Sequence, residues 1–173
     1  MDLDECACLK LGDNYRYIQG NCYYIEGTSY NITEASENCR NRFQSLGKGG
    51  RLFEPMITIL NDEVIQEARK TVTTSHNFLL GIQRANSQNN WQYLSNNKNV
   101  SWFNWHSGEP NTLNYNCIST FFINDYTWAD KLCSNKDVSI CEMTSDGNLI
   151  YFTCTIFTSY FLAPILIFIN PLL

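Results

Sequence analysis

The sequence has no cluster of lysine or arginine residues, and its 12 basic side chains are outnumbered by 17 acidic ones. Such a chain offers no surface that neutralises a phosphate backbone, so we predict no nucleic-acid partner. No CxxC pair is followed by a second pair at zinc-site spacing, which argues against a structural zinc ion. The first ten residues carry three acidic side chains and no apolar run, which is not the pattern of a signal peptide.

Charged residues are also missing from the C-terminal end of the chain. All 29 of them precede Leu149, and 18 of the last 25 residues are apolar. A run of this length is long enough to cross a bilayer core, so we predict a hydrophobic tail with membrane attachment through residues 149–173. Three interpretations of the tail stay open: a GPI-anchor signal, a transmembrane anchor, or translated non-coding sequence.

Cysteine, by contrast, is abundant. The eight cysteines occupy positions 6, 8, 22, 39, 117, 133, 141 and 154. Without zinc spacing, disulfide bonding is the better explanation, and it requires an oxidising compartment. We therefore predict an extracellular or cell-surface location and expect that the natural chain begins further upstream, with a signal.

Two segments show helix patterns. Asn31 followed by Glu34 is the signature of a capping box, which predicts that a helix begins there and places Ala35, Cys39 and Phe43 on one face. A second helix is predicted to begin at Asn61-Asp62-Glu63, with an inward face formed by Val64, Ile65 and Ala68. Aromatic and β-branched residues predict strands at 20–25, 78–82 and 91–94.

The stretch from residue 84 to residue 116 is rich in Asn, Ser and Gly, yet it contains three tryptophans. A loop region of this length in a compact domain is expected to be disordered or functional, and the tryptophans argue against disorder. We predict that residues 84–116 form functional loops. The tryptophans themselves are more typical of core than of a binding platform; they are Trp91, Trp102 and Trp105 here, with Trp128 further on.

Three motifs, in order along the chain, carry a resemblance to a known family. They are FLLGI at 78–82, NWHSGEPN at 104–111, and Trp128-Ala129-Asp130 among the cysteines at 117, 133 and 141. Residues 8–143 resemble a C-type lectin-like domain of the long form. The resemblance implies an α+β fold, with two helices on antiparallel sheets, a long loop region that presents the binding surface, and disulfide staples. Residues 1–7 then form an N-terminal segment, and residues 144–173 a short linker and the hydrophobic tail.

The resemblance also implies three disulfide bonds, Cys8–Cys22, Cys39–Cys141 and Cys117–Cys133. The segment between Cys8 and Cys22 is longer than is usual for the family's hairpin, so Cys6 stays open as an alternative partner of Cys22. Cys154 and the unpaired member of Cys6 and Cys8 are left over.

In the family, sugar binds through a calcium ion held by hard oxygen ligands. Glu109, Pro110 and Asn111 match the family's Glu-Pro-Asn motif for mannose-type sugars, in which the proline is cis and the carboxylate and amide serve as acceptor and donor. With Asp130, Glu109 and Asn111 are the implied ligands of both calcium and sugar.

Other family ligands are replaced. Tyr115 stands in place of a glutamate and Ala129 in place of an asparagine. Arg84 and Thr112 stand where the acidic ligands of an auxiliary calcium site would be. Calcium is therefore an expected cofactor only to the extent that the remaining three ligands suffice.

Two functions stay open. The first is a carbohydrate-recognition module with calcium-assisted binding of mannose-type glycans. The second is a calcium-independent module that binds a protein or another non-sugar partner through loops 84–116. Under the second, Glu-Pro-Asn is an ordinary turn and Asp130 bonds local amides.

Two further expectations concern catalysis and modification. Neither His76 nor His106 has a nucleophile or acidic partner at a recognisable spacing, so we predict no enzymatic activity. Asn31 and Asn99 begin sequons and are predicted glycosylation sites.

Overall fold

In a computed structural model, the described residues are 3–72, 77–85, 90–121 and 126–144. The helices are α1 (Leu3–Leu9), α2 (Ile32–Arg42) and α3 (Thr58–Thr71), with a short 3-10 turn at Gln44–Leu46. The strands are β1 (Tyr15–Ile18), β2 (Asn21–Tyr30), β3 (Gly49–Leu52), β4 (Phe78–Arg84), β5 (Trp91–Tyr93), β6 (Cys117–Thr120), β7 (Trp128–Lys131) and β8 (Asp137–Thr144).

The described strands form one sheet in the order β1-β2-β8-β4-β6-β7, with β3 also paired to β8 and β5 to β4. The α+β class, with helices on a largely antiparallel sheet, is confirmed. Among the paired strands of the described residues, β4 and β8 are the parallel pair. A parallel pair needs a long crossover, and here the chain between β4 and β8 contains the whole loop region together with β6 and β7.

Helix α2 forms as the sequence predicts. The Asn31 Oδ1 atom accepts hydrogen bonds from the backbone N–H groups of Thr33 and Glu34, and the Glu34 carboxylate accepts the Asn31 N–H in return. Ala35 and Cys39 are fully buried on the inner face, and Phe43 is buried just after the last helical residue. The apolar face of α2 therefore packs on the sheet beside β3 and β8.

Helix α3 begins at Thr58, so the predicted start at Asn61 is wrong. Asn61 lies inside the helix with none of its surface exposed. Its Oδ1 accepts the indole N–H of Trp128 at 2.9 Å, and its Nδ2 donates to the Tyr126 carbonyl at 3.2 Å. The amide thus bonds across to the segment around β7 instead of capping its own helix. The predicted inner face is confirmed, because Val64, Ile65 and Ala68 are all buried.

The strands predicted at 20–25, 78–82 and 91–94 are confirmed as β2, β4 and β5, although Gly20 and Leu94 lie just outside the observed strands. In β4, a methyl group added at Gly81 would meet the Leu52 carbonyl oxygen at 2.8 Å. The glycine in the FLLGI motif is therefore required by the close approach of the end of β3 and the residues that follow it.

The three implied disulfides are present: Cys8–Cys22, Cys39–Cys141 and Cys117–Cys133. The alternative pairing of Cys6 with Cys22 is wrong. Cys39–Cys141 joins α2 to the central strand β8, and Cys117–Cys133 joins the start of β6 to the segment after β7. Cys154 and the predicted tail lie outside the described residues, and no described helix is long and apolar enough to cross a membrane.

Candidate functional site

The predicted loop region begins at the end of β4, contains the short strand β5, and ends at the start of β6. Its two ends are tied together, since the Arg84 N–H donates to the Asn116 carbonyl at 2.8 Å. Trp91 and Trp128 are buried, while Trp102 and Trp105 are half-buried and pack against the core. The prediction that these tryptophans belong mainly to the core is confirmed.

The Glu-Pro-Asn turn, residues 109–111, follows Trp105 in the loop region. The Glu109–Pro110 peptide bond is cis, as the resemblance implied. The two flanking side chains meet, because the Asn111 Nδ2 donates to the Glu109 Oε1 at 2.8 Å. The turn therefore presents a carboxylate and an amide side by side.

Asp130, on β7, lies against the same turn. Its Oδ1 accepts the Asn111 N–H and its Oδ2 accepts the Thr112 N–H, each at 3.1 Å. All three predicted ligand residues are thus brought together, although Asp130 follows Asn111 by 19 residues. Asp130 is almost fully buried and bonds local amides, as the alternative interpretation expected.

The carboxyl group of Glu109 is partly buried and lies near a second carboxyl group, that of Asp130. Burial, and then the neighbouring carboxyl group of Asp130, raise the pKa of Glu109 above its ordinary value. Its second oxygen, Oε2, is buried and has no hydrogen-bond partner among the described residues. A carboxylate in this position favours a proton, a hydroxyl donor or a cation at the free oxygen.

Arg84 is the neighbour that sequence reasoning did not connect to Asp130. Its Nη2 lies 3.5 Å from the Asp130 Oδ2, and the two side chains are 6% and 0% exposed. The same guanidinium donates to the carbonyls of Tyr115 and Thr112, and its carbon lies 4.4 Å from the Trp91 ring centroid. The sequence signal that could have indicated this contact was Arg84 itself, a basic residue at a position where the family has an acidic ligand.

The three predicted ligands carry oxygen donors of the type that calcium prefers, but they are few. Ca²⁺ takes 6–8 oxygens, and the side chains of Glu109, Asn111 and Asp130 would supply only part of that number. Tyr115 turns its backbone carbonyl towards Arg84, and Ala129 is buried without any polar side-chain atom. Within the described ranges, no three Asp, Glu, His or Cys side chains are grouped closely enough to hold a metal ion. The free oxygen of Glu109 is the feature that a cation would satisfy.

The side chains of the two predicted glycosylation sites both make hydrogen bonds. The Asn31 side chain is occupied in the α2 capping box. Asn99 is exposed, and its Oδ1 accepts a hydrogen bond from the Gln92 side chain at 3.1 Å. Glycosylation at either residue stays a prediction.

Comparisons with known proteins agree with this fold. The family profile described as Lectin C-type domain matches residues 28–143. A perlucin-like protein of Mytilus galloprovincialis is 25% identical over 123 residues, which cover 70% of this chain and 75% of that protein. Human C-type lectin domain family 4 member C is 26% identical over 147 residues, which cover 82% of this chain but only 62% of the human protein.

Among solved structures, the C-type lectin domain of murine dendritic cell inhibitory receptor 2, in complex with N-glycan, superposes with a TM-score of 0.60. It is 21% identical, and the match covers 76% of this chain and 96% of that one, which shows the shared fold. Because the family profile spans more than half of the sequence, the chain belongs to the C-type lectin domain family.

Proposed function

We propose that the chain is a carbohydrate-recognition module that binds mannose-type glycans through Glu109, Asn111 and Asp130. The observation that supports this most directly is the cis turn at Glu109–Pro110, which brings the Glu109 carboxylate and the Asn111 amide together at 2.8 Å. The carboxylate can accept a hydrogen bond from one sugar hydroxyl, and the Asn111 amide can donate to the oxygen of a second hydroxyl. The N-glycan bound by the murine relative is consistent with this substrate class.

Calcium assistance is part of the proposal. Glu109, Asn111 and Asp130 would hold the ion, and a bound ion would supply positive charge and coordination for sugar hydroxyls. In its absence, the chain itself orients the turn, because the Asp130 carboxylate holds the backbone amides of Asn111 and Thr112. The reduced ligand number predicts weaker calcium binding than a complete family site would give.

The test is retention of the oxidised chain on mannose-coupled resin, in calcium and then in chelator. We expect retention in calcium, release in chelator, and weaker retention on galactose-coupled resin. Glu109→Gln should abolish retention because the amide places a donor where the site needs an acceptor. Glu37→Gln, the same change on the exposed surface of α2, is the matched control. Failure of the wild-type chain to bind in calcium would contradict the proposal.

The second candidate is a calcium-independent module that binds a protein partner through loops 84–116. It is favoured by the Arg84–Asp130 ion pair and by two exposed apolar side chains in these loops, Phe103 and Leu113, which are 40% and 65% exposed. Under this function, chelator would leave binding unchanged, whereas Arg84→Glu or Tyr115→Ala would impair it. No catalytic role is proposed for either candidate.

The setting of the module is also a proposal. Three disulfides require an oxidising compartment, which supports an extracellular or cell-surface location. The domain is proposed to span residues 8–143, with residues 1–7 before it. Residues 144–173 are proposed to be a linker and tail that attach the domain to a membrane. Its partners would then be glycans or glycoproteins met outside the cell.

A further inference from the structure

The guanidinium group of Arg84 is enclosed by oxygen atoms. It lies near the Asp130 Oδ2, and it donates to the carbonyl oxygens of Thr112 and Tyr115 at 3.3 and 3.0 Å. The Trp91 ring covers the guanidinium at 4.4 Å. A carboxylate and two carbonyls around one positive charge are the kind of oxygen ligands that a hard metal cation prefers. Here they surround a side chain of the protein.

These contacts join the parts of the site that must keep their positions. Arg84 ends β4, Asp130 lies on β7, and Thr112 and Tyr115 belong to the loop that follows the Glu-Pro-Asn turn. One Asp130 oxygen, Oδ2, serves both the Thr112 amide and Arg84. A divalent ion bound to the same carboxylate would therefore face a buried positive charge a few ångströms away, and at that distance the repulsion is large.

We propose that Arg84 is a built-in cation, which holds the loop of residues 111–116 onto β7 without metal and competes with calcium for Asp130. The inference rests on the proposed function in one respect, because it takes Asp130 as a ligand of the calcium and sugar site. It adds that the chain keeps the geometry of the site when calcium is absent. It also adds that Arg84 sets how weakly calcium binds.

The test compares the oxidised full-length wild type with Arg84→Met and Arg84→Lys by thermal unfolding. Each protein is measured in chelator and across a calcium series, with magnesium as the ion control. Arg84→Met should unfold at a lower temperature in chelator and should bind calcium more tightly than the wild type, by about tenfold or more. Arg84→Lys keeps the positive charge and should bind calcium as weakly as the wild type. Asp130→Asn added to Arg84→Met should remove the gained calcium response.

Equal calcium affinity in the wild type and in Arg84→Met would overturn the inference while leaving calcium-assisted sugar binding intact. If neither protein responds to calcium, both the competition by Arg84 and the calcium dependence in the proposed function are wrong. Retention on mannose-coupled resin in chelator then tests whether the chain binds sugar without calcium. A gained calcium response without mannose retention would support the role of Arg84 and contradict the proposed function.

A second measurement uses only the wild-type protein, so its result stands even if the Arg84 variants fail to fold. The backbone amide protons of Asn111 and Thr112 both donate to Asp130. Their hydrogen exchange should be equally slow in chelator and in calcium if Arg84 holds the carboxylate in place. Loss of their protection on addition of chelator would overturn the inference.

Discussion

Replacing Asp130 with asparagine removes a carboxylate that accepts hydrogen bonds from two backbone amides and forms an ion pair with Arg84. The Arg84 and Asp130 side chains are 6% and 0% exposed, so little solvent is available to compensate. The asparagine oxygen can accept one of the amide bonds, but its NH₂ group then lies beside another donor. Arg84 loses its carboxylate partner but keeps the contacts with the Thr112 and Tyr115 carbonyls.

The size of the effect follows from the burial of the pair. Removing one partner of a buried ion pair costs about 3–5 kcal/mol, because the other charge stays buried and unpaired. The two carbonyls still solvate Arg84 in part, so we expect a loss near the lower end, about 3 kcal/mol. For a chain of this size, that loss corresponds to a decrease in Tm of about 6–12 °C.

The assay is equilibrium unfolding in denaturant, with chelator present so that no metal contributes. Asp130→Asn, Arg84→Met and the double variant complete a double-mutant cycle with the wild type. In the double variant neither charge is left alone, so it should be more stable than the sum of the single losses predicts, by about 1–3 kcal/mol. Glu37→Gln, a neutralisation on the exposed face of α2, should change the stability by less than about 0.5 kcal/mol.

The reasoning would be refuted if Asp130→Asn cost less than about 1 kcal/mol and the two single effects were additive within error. That outcome would mean that Arg84 and Asp130 do not interact in the folded protein. The proposed role of Arg84 would then have no electrostatic basis.

Three further substitutions test other parts of the structure. Glu109→Gln should leave stability at neutral pH equal or higher, and this advantage should shrink as the pH falls through the raised pKa of Glu109. Asn61→Leu should lower the free energy of unfolding by about 1–3 kcal/mol, because the buried indole N–H of β7 loses its acceptor. Asn31→Ala should cost about 1 kcal/mol by removing the α2 cap, whereas Thr33→Ala, which also destroys the sequon, should keep the Asn31 cap.

The sign for Glu109 follows from linkage. A carboxyl group whose pKa is raised in the folded state favours folding while it is protonated, and that contribution is lost as the pH rises through the raised pKa. Denaturant unfolding at neutral and acidic pH measures the difference between the two proteins, and a glutamine variant that is less stable at neutral pH would contradict the stated cause. An unchanged unfolding midpoint in Asn61→Leu would contradict the role of Asn61 as acceptor. A loss of stability in Thr33→Ala equal to that in Asn31→Ala would contradict the role of Asn31 as helix cap.

Several features of the fold could be predicted because their signals are local. The α2 capping box needs only Asn31 and Glu34, which are three residues apart and meet whenever a helix forms between them. The spacing of Ala35, Cys39 and Phe43 likewise determines which face of that helix is apolar. The cysteine intervals and the Glu-Pro-Asn motif, through their resemblance to a family, predicted the disulfides and the cis proline.

The second helix shows where such local reasoning fails. Asn61 has the residue type of a helix cap, but a buried amide is tolerated inside a helix when distant partners satisfy it. Those partners are Trp128 and Tyr126, more than sixty residues further along the chain. Nothing in the local sequence indicates that these distant residues come into contact with Asn61. The start of α3 at Thr58 was therefore not predictable from the local pattern.

The chain's sequence by itself determined the family, the disulfide framework, and the presence of Glu109, Asn111 and Asp130 as the candidate ligands. Only the tertiary structure decided that Asp130 is already bonded to two amides and faces Arg84, which precedes it by 46 residues. The physical reason is that a charge pair depends on which strands become neighbours. Because β4, β6 and β7 lie side by side in the sheet, the end of β4 places its arginine against the carboxylate of β7.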